Sequence, residues 1–207
     1  MSKQSELDIL YSKWFNCTKC SICKEGRKQL VFSDGSPDAE LMIIGEGPGR
    51  DEDQQGLPFV GPAGKKMDQI FKLAGFERDQ IFWTNVVHCR PKDNRTPNDT
   101  EASICKNMAL EEIHIIRPKV IVLAGRVAAM AFLNFKGTSS MKSIVERWST
   151  IEGIPCITIY HPAALLHAIY EPSKRMVYKK SIWRAMIDIK IKLAILKQAQ
   201  QQTLGMI

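Results

Sequence analysis

Four short apolar runs punctuate the chain: Leu41 to Ile44, Ile81 to Val87, Val120 to Ala124 and Pro155 to Tyr160. They are rich in β-branched and aromatic side chains and bounded by turn formers, so each predicts a strand. The first and third are unbroken, as in strands covered on both faces. Between them apolar positions recur at spacings of three and four. Ala63, Met67, Ile70, Phe71 and Ala74 predict a helix ending at Gly75. Cys105, Met108, Ala109, Ile113 and Ile116 predict a second, with Thr96 as N-cap, Pro97 as first helical residue and Pro118 as its end. Shorter helical patterns cover residues 5–16 and about Val127 to Leu133, and a helical turn covers Ala163 to Ala168. A long helix is predicted from about Ser173 to Ala199, then a frayed polar tail over 200–207. Phe135 to Ser143 carries little signal and reads as a loop.

Strands alternating with helices predict an α/β fold, a three-layer α/β/α sandwich with a central four-stranded parallel sheet. The whole chain, 1–207, is expected to be one domain, with residues 1–35 forming an N-terminal helix and a cysteine segment. Such folds bind ligands at the carboxyl edge of the sheet. Gly45 to Asp53, Gly125 and His161 each follow a predicted strand and Asn85 closes one, so all four should meet at that edge.

The stretch after the first strand, Gly45-Glu46-Gly47-Pro48-Gly49-Arg50-Asp51-Glu52-Asp53, reads as a long glycine-rich acidic loop. Its glycines permit unusual backbone angles and close approach of a ligand to the main chain. A dinucleotide loop would need glycine at Arg50, and a phosphate loop would need Ser or Thr at Lys66. Three consecutive acids would also repel a phosphate. They suit a site that stabilises positive charge or positions water, or else a solvated acidic loop.

Composition is that of an ordinary soluble globular protein, and no apolar stretch approaches the ~18 residues of a membrane span. The polar N-terminus shows no secretory signal, so the expected location is the cytoplasm. A net charge of +7 fits an anionic partner without identifying one. Basic residues gather at 24–28, 90–95 and 174–184.

Six cysteines in such a chain do not read as disulfides. Cys17 and Cys20 form a two-ligand bite in a polar segment, Cys89 and Cys105 supply a second pair, and Cys156 lies in an apolar strand as a small hydrophobe. Four thiolates suit zinc or an iron–sulfur cluster, and the spacing does not choose between them. Cys23 repeats the bite and competes as a ligand.

Taken in order, Gly-Glu-Gly-Pro-Gly at 45–49, Pro58-Phe59-Val60-Gly61, Thr84-Asn85-Val86-Val87, Cys89-Arg90-Pro91, Asn94-Arg95-Thr96-Pro97 and Tyr160-His161-Pro162 resemble family four uracil-DNA glycosylases, the iron–sulfur type of bacteria and archaea. The likeness runs from about Cys17 to His167. It implies excision of uracil from single- or double-stranded DNA, and a structural 4Fe-4S cluster on Cys17, Cys20, Cys89 and Cys105. Zinc is the alternative occupant of those thiolates. By position, Phe59 looks like the ring that stacks on the flipped base and Asn85 like the amide that pairs with its edge. Gly47 looks like part of the pocket wall, Glu46 and Glu52 like the acids near the sugar and its water, and His161 like the histidine near uracil O2. Leu165 and Leu166 are candidates to wedge into the vacated stack, with ordinary helix packing the favoured alternative. His88 stands where a lysine is common, His167 where an arginine is, and Cys23 is extra. The alternative is a cluster-bearing DNA-binding module without hydrolysis. The chain is expected to be a monomer. Gln201-Gln202-Thr203-Leu204 is similar to sliding-clamp peptides but lacks their aromatic pair, so no clamp contact is expected of it.

Overall fold

The computed structural model describes residues 1–133 and 140–204. Its centre is a sheet of β1 (Leu41–Gly45), β2 (Ile81–Asn85), β3 (Val120–Ala124), β4 (Trp148–Ile151) and β5 (Ile154–Ile159), in the order β2-β1-β3-β5-β4. β2, β1, β3 and β5 are the four predicted strands, and they pair in parallel. The sheet nevertheless has five described strands rather than four, because β4 joins β5 antiparallel at the edge. Trp148, Ser149 and Thr150 are half-buried or exposed, so this strand lacks the apolar run that marked the others.

Helices α1 (Lys3–Trp14), α4 (Asp99–Ile116) and α5 (Arg126–Phe132) cover one face. α3 (Pro62–Leu73), α7 (Ala163–His167) and α8 (Pro172–Leu204) cover the other. Two short helices, α2 (Arg50–Gln55) and α6 (Met141–Ile144), lie in connections. Alternate strand side chains divide between the two cores, as the pleat requires. Met42, Ile44, Phe82, Ile121, Leu123 and Cys156 face α4, whereas Ile43, Trp83, Val122 and Ile157 face α3 and α8. Burial on both sides explains why β1 and β3 read as unbroken apolar runs.

Some predicted boundaries move. α4 is capped by Asn98, not Thr96: Asn98 Oδ1 accepts from Glu101 N, and Glu101 Oε2 accepts from Asn98 N, each at 2.9 Å. This reciprocal box satisfies two amides at once and outcompetes a lone threonine. α8 continues through the expected tail to Leu204, and residues 205–207 lie outside the described set. So does 134–139, the greater part of the expected loop from Phe135 to Ser143. No described helix is long and apolar enough to cross a membrane.

Candidate active site

The carboxyl ends of β1 and β2 run on in step. Val86 N donates to Gly45 O at 2.9 Å and Val87 N to Glu46 O at 3.1 Å, so the glycine loop is zipped to the segment after β2. None of Gly45, Gly47 and Gly49 has a positive φ. What they supply is room. A methyl group on Gly45 would collide with Asn85 Oδ1 and lie 2.6 Å from Phe59 Cζ, and one on Gly47 would lie 2.5 Å from Val87 Cγ2. The amide and the ring tip therefore converge over the bare backbone at the end of β1.

Phe59 reaches that point from a left-handed backbone, φ 56°. A non-glycine residue held so costs on the order of 1–3 kcal/mol and persists where its surroundings over-determine it. The ring is buried and packs on Trp83 at a centroid distance of 5.2 Å. Asn85, the last residue of β2, is only 4% exposed, yet no described protein group hydrogen-bonds its side-chain amide.

His161 follows β5. Gly125, at φ 98°, brings the end of β3 so close that a methyl group there would lie 2.9 Å from His161 Cβ. The Nδ1 atom accepts from Ala163 N at 3.3 Å. Burial, assisted by nearby His167, lowers the imidazole to about 4. It is therefore neutral at pH 7 with its proton on Nε2, a free donor.

Glu46, Gly47, Phe59, Asn85 and His161 all line one cavity of about 580 Å3, joined by Arg90 and Asn94 from the segment between β2 and α4. Glu52 lines it too, but its oxygens are engaged: Oε1 accepts from Gly61 N at 2.7 Å and Oε2 from Gly49 N at 3.1 Å. Asp53 accepts from Lys28 N at 3.0 Å and is 3% exposed. The acidic run thus divides. Glu52 and Asp53 tie loops together, while Glu46 remains in the cleft with its carboxyl raised by burial against a lowering hydrogen bond from Thr96. Arg90, Asn94 and Thr96 belong to the motifs that carry the resemblance, but no site role was expected of any of them individually. His167 lines the cavity, and His88 does not. His88 is buried, neutral because burial lowers it to about 4, and lies with Nδ1 3.1 Å from Val31 O. Of the two leucines, Leu165 is core at 3% exposed and Leu166 is open at 38%.

Cys17, Cys20, Cys89 and Cys105 gather beside the cleft, in the core between α1 and α4. Burial pushes Cys89 up to about 11 and Cys105 up to about 12, and each of these thiols is raised further by Cys17 and Cys20. Arg27 donates to Cys89 Sγ at 2.5 Å and to Cys17 O at 2.9 Å. Cys23 turns its thiol to Cys20 O at 3.0 Å. Among the described residues no three His, Cys, Asp or Glu groups stand close enough to hold a single metal ion. Alongside, Arg95 grips Glu101 with two bonds, Nη1 to Oε2 at 2.8 Å and Nη2 to Oε1 at 2.7 Å, and also bonds Glu25. Glu25 accepts from Lys92 N at 2.8 Å. This network connects the cysteine segment to the loop that walls the cavity.

Comparison with known proteins agrees with this geometry. Residues 32–187 match the uracil DNA glycosylase superfamily. The chain is 38% identical over 181 residues to a type-4 uracil-DNA glycosylase of Archaeoglobus fulgidus, covering 84% of this chain and 88% of that protein. It is 39% identical to one from Sulfurisphaera tokodaii, over 84% of this chain and 80% of the relative. A third, from Thermotoga maritima, is 33% identical over 85% of this chain and 91% of its own. A type-5 uracil-DNA glycosylase of Pyrobaculum aerophilum is more distant, at 25% identity. With a matched region spanning most of its length, the chain belongs to the uracil DNA glycosylase superfamily.

Proposed function

We propose that this chain excises uracil from DNA by hydrolysing the N-glycosidic bond and leaving an abasic site. The observation that carries the reading is the convergence of a stacking ring, an unengaged amide and a neutral histidine in one cavity at the sheet's carboxyl edge. A base inside a duplex must be flipped out, at a cost of about a few kcal/mol. Stacking on Phe59 offsets roughly 1–3 kcal/mol of that. The Asn85 amide offers one donor and one acceptor, which match uracil O4 and N3–H, whereas cytosine presents the reverse. A buried amide left unpaired by the wrong base is a strong discriminator.

In the reaction the C1′–N1 bond breaks and its electron pair leaves with uracil. The base becomes anionic and the sugar cationic; water adds to C1′ and gives up a proton. Nε2–H of His161 donates to uracil O2 as charge builds there, a contribution worth roughly 2.7–4 kcal/mol. Glu46 is the carboxylate assigned to the cationic sugar and the water, because Glu52 is already committed to two backbone amides.

Four soft thiolates drawn into one lobe are the donor set of a 4Fe-4S cluster, and Cys17, Cys20, Cys89 and Cys105 are assigned to it. They are near enough to raise one another's pKa, so a cationic cluster among them relieves their mutual repulsion. When bound, such a cluster supplies four metal–thiolate bonds that tie residues 17–20, the β2–α4 connection and α4 together.

Incubation with uracil-containing single- and double-stranded DNA tests the reading. Free uracil is expected from both; binding without release would reduce the chain to a DNA-binding module. Iron and sulfide analysis of the purified protein tests the cluster: iron and sulfide with a brown colour are expected, and a colourless zinc protein would overturn it.

A further inference from the structure

Phe59 is held in its left-handed conformation by groups outside the cavity, and one of them is Arg78, which lies in the turn before β2. Its Nη2 donates to Pro58 O at 2.8 Å and its Nη1 to Phe59 O at 3.4 Å. The φ and ψ torsions of Phe59 together relate the peptide units carrying those two carbonyls, so a planar guanidinium gripping both of them restrains that pair of torsions. The grip is itself anchored. Nη2 also donates to Asp34 Oδ2 at 3.0 Å, and Asp34 is pinned to β2 by paired backbone bonds with Trp83 at 2.8 and 3.0 Å. The guanidinium lies 4.9 Å from the Trp83 ring centroid, and Phe59 packs on that same ring. From the other side, Glu52 holds Gly61 N and the bare backbone of Gly64 presses on Phe59 O.

We propose that Arg78 is a positioning residue for base recognition, locking the stacking ring in place from outside the pocket. The inference rests on the uracil-excision reading for its kinetic consequence and on geometry alone for its structural one. Lysine, a point donor on a flexible stem, keeps the ion pair with Asp34 but does not reproduce a rigid fork across two carbonyls.

The test uses Arg78→Met and Arg78→Lys in the full chain and in a Phe59→Ala background. Amide hydrogen exchange without DNA is expected to rise over residues 58–64 in both arginine variants, with the sheet still protected. For uracil release, Arg78→Met is expected to lower kcat/KM by up to about 100-fold, the scale of a small misplacement. Arg78→Lys is expected to fall between it and the parent. In the Phe59→Ala background Arg78→Met is expected to cost nothing further, since the ring it positions is gone. Equal losses in both backgrounds, or unchanged exchange over 58–64, would overturn the proposal. Should Arg78→Met fail to fold, Arg78→Lys carries the same comparison. A parent protein that releases no uracil would sink the excision reading instead, and the exchange result would still decide the role of Arg78.

Discussion

Asn85 and Cys89 stand four residues apart, yet they serve regions built on opposite terms. In the cleft, the Asn85 amide has no partner among the described residues, His161 keeps Nε2–H unspent, and burial raises the Glu46 carboxyl against a single bond from Thr96. In the cysteine lobe a buried charge is fully answered. Glu101 takes two bonds from Arg95, one from Ser21 and one from Asn98 N, which hold it down at about 2. Backbone tells the same story, with left-handed Phe59 in the cleft and a reciprocal capping box in the lobe. Most buried polar groups are satisfied where the fold only needs to stand. His88 Nε2, Thr158 Oγ1 and Ser181 Oγ are buried without a partner outside the cleft, so an unpaired group marks a site only where several converge on one cavity.

The largest expected effect breaks the cleft alone. His161→Ala is expected to slow uracil release roughly 100- to 1000-fold, as loss of one preorganised donor does, with melting temperature nearly unchanged. Its neutral state has a pH signature. Because the folded imidazole sits at about 4, His161 itself should cause no loss of excision between pH 8 and 5; on the acid side the burial-raised carboxylate of Glu46 is expected to limit the rate first. An NMR titration of the His161 ring with a midpoint near the ordinary histidine value of 6.5 would mean that it is protonated in the working cleft and is not a neutral donor.

The next effect breaks the lobe. Cys105→Ser is expected to bleach the protein and lower its melting temperature by several degrees, roughly 2–4 °C per kcal/mol lost in a chain this size. Residual uracil release per folded molecule should fall far less than in His161→Ala. An intact brown colour would mean that Cys23 or another group can replace this thiol.

How the two regions read from sequence differs for the same reason. Most cleft residues sit at strand ends: Gly45, Gly125 and His161 stand where apolar runs stop and Asn85 closes the second strand, so their shared edge followed from topology. What did not follow was the use of each acid. Glu46 and Glu52 look alike in a glycine-rich acidic stretch, and only the short helix α2, hidden within it, turns Glu52 back onto Gly49 and Gly61. β4 was invisible because a half-exposed edge strand needs no apolar run. Arg78 was invisible because the partners that tie it to Phe59 are backbone carbonyls, which carry no sequence signature, and Asp34 and Trp83 lie far from Phe59 in the chain.

Glu112 sharpens the comparison with a smaller effect. It is buried on the opposite face of the sheet, accepting from Ser33 at 2.7 Å and from Thr84, one residue before Asn85, at 2.6 Å. Burial raises it from 4.5 to about 7 despite these bonds. Between those values the folded chain keeps the proton that the unfolded chain releases, so stability declines as pH rises from 4.5 to about 7 and then levels. The contribution is on the order of a few kcal/mol. Glu112→Gln should flatten that part of the stability profile while leaving the pH dependence of excision alone. An unchanged profile in denaturant melts at pH 5 and 7 would show that the carboxyl titrates elsewhere.

The smallest expected effect separates two neighbours in α7. Leu165 is packed against the core and Leu166 faces outward, beyond His161 and next to the cavity-lining His167. An apolar side chain entering the stack helps only where there is a stack to fill. Leu166→Ala should therefore slow excision from double-stranded DNA by about tenfold, roughly 1.4 kcal/mol, and leave single-stranded DNA almost untouched. Leu165→Ala should lower stability and affect both substrates alike. If Leu166→Ala slowed both strands equally, the leucine would be acting on the cleft itself, and the partition of α7 into one supporting and one DNA-facing side chain would fail.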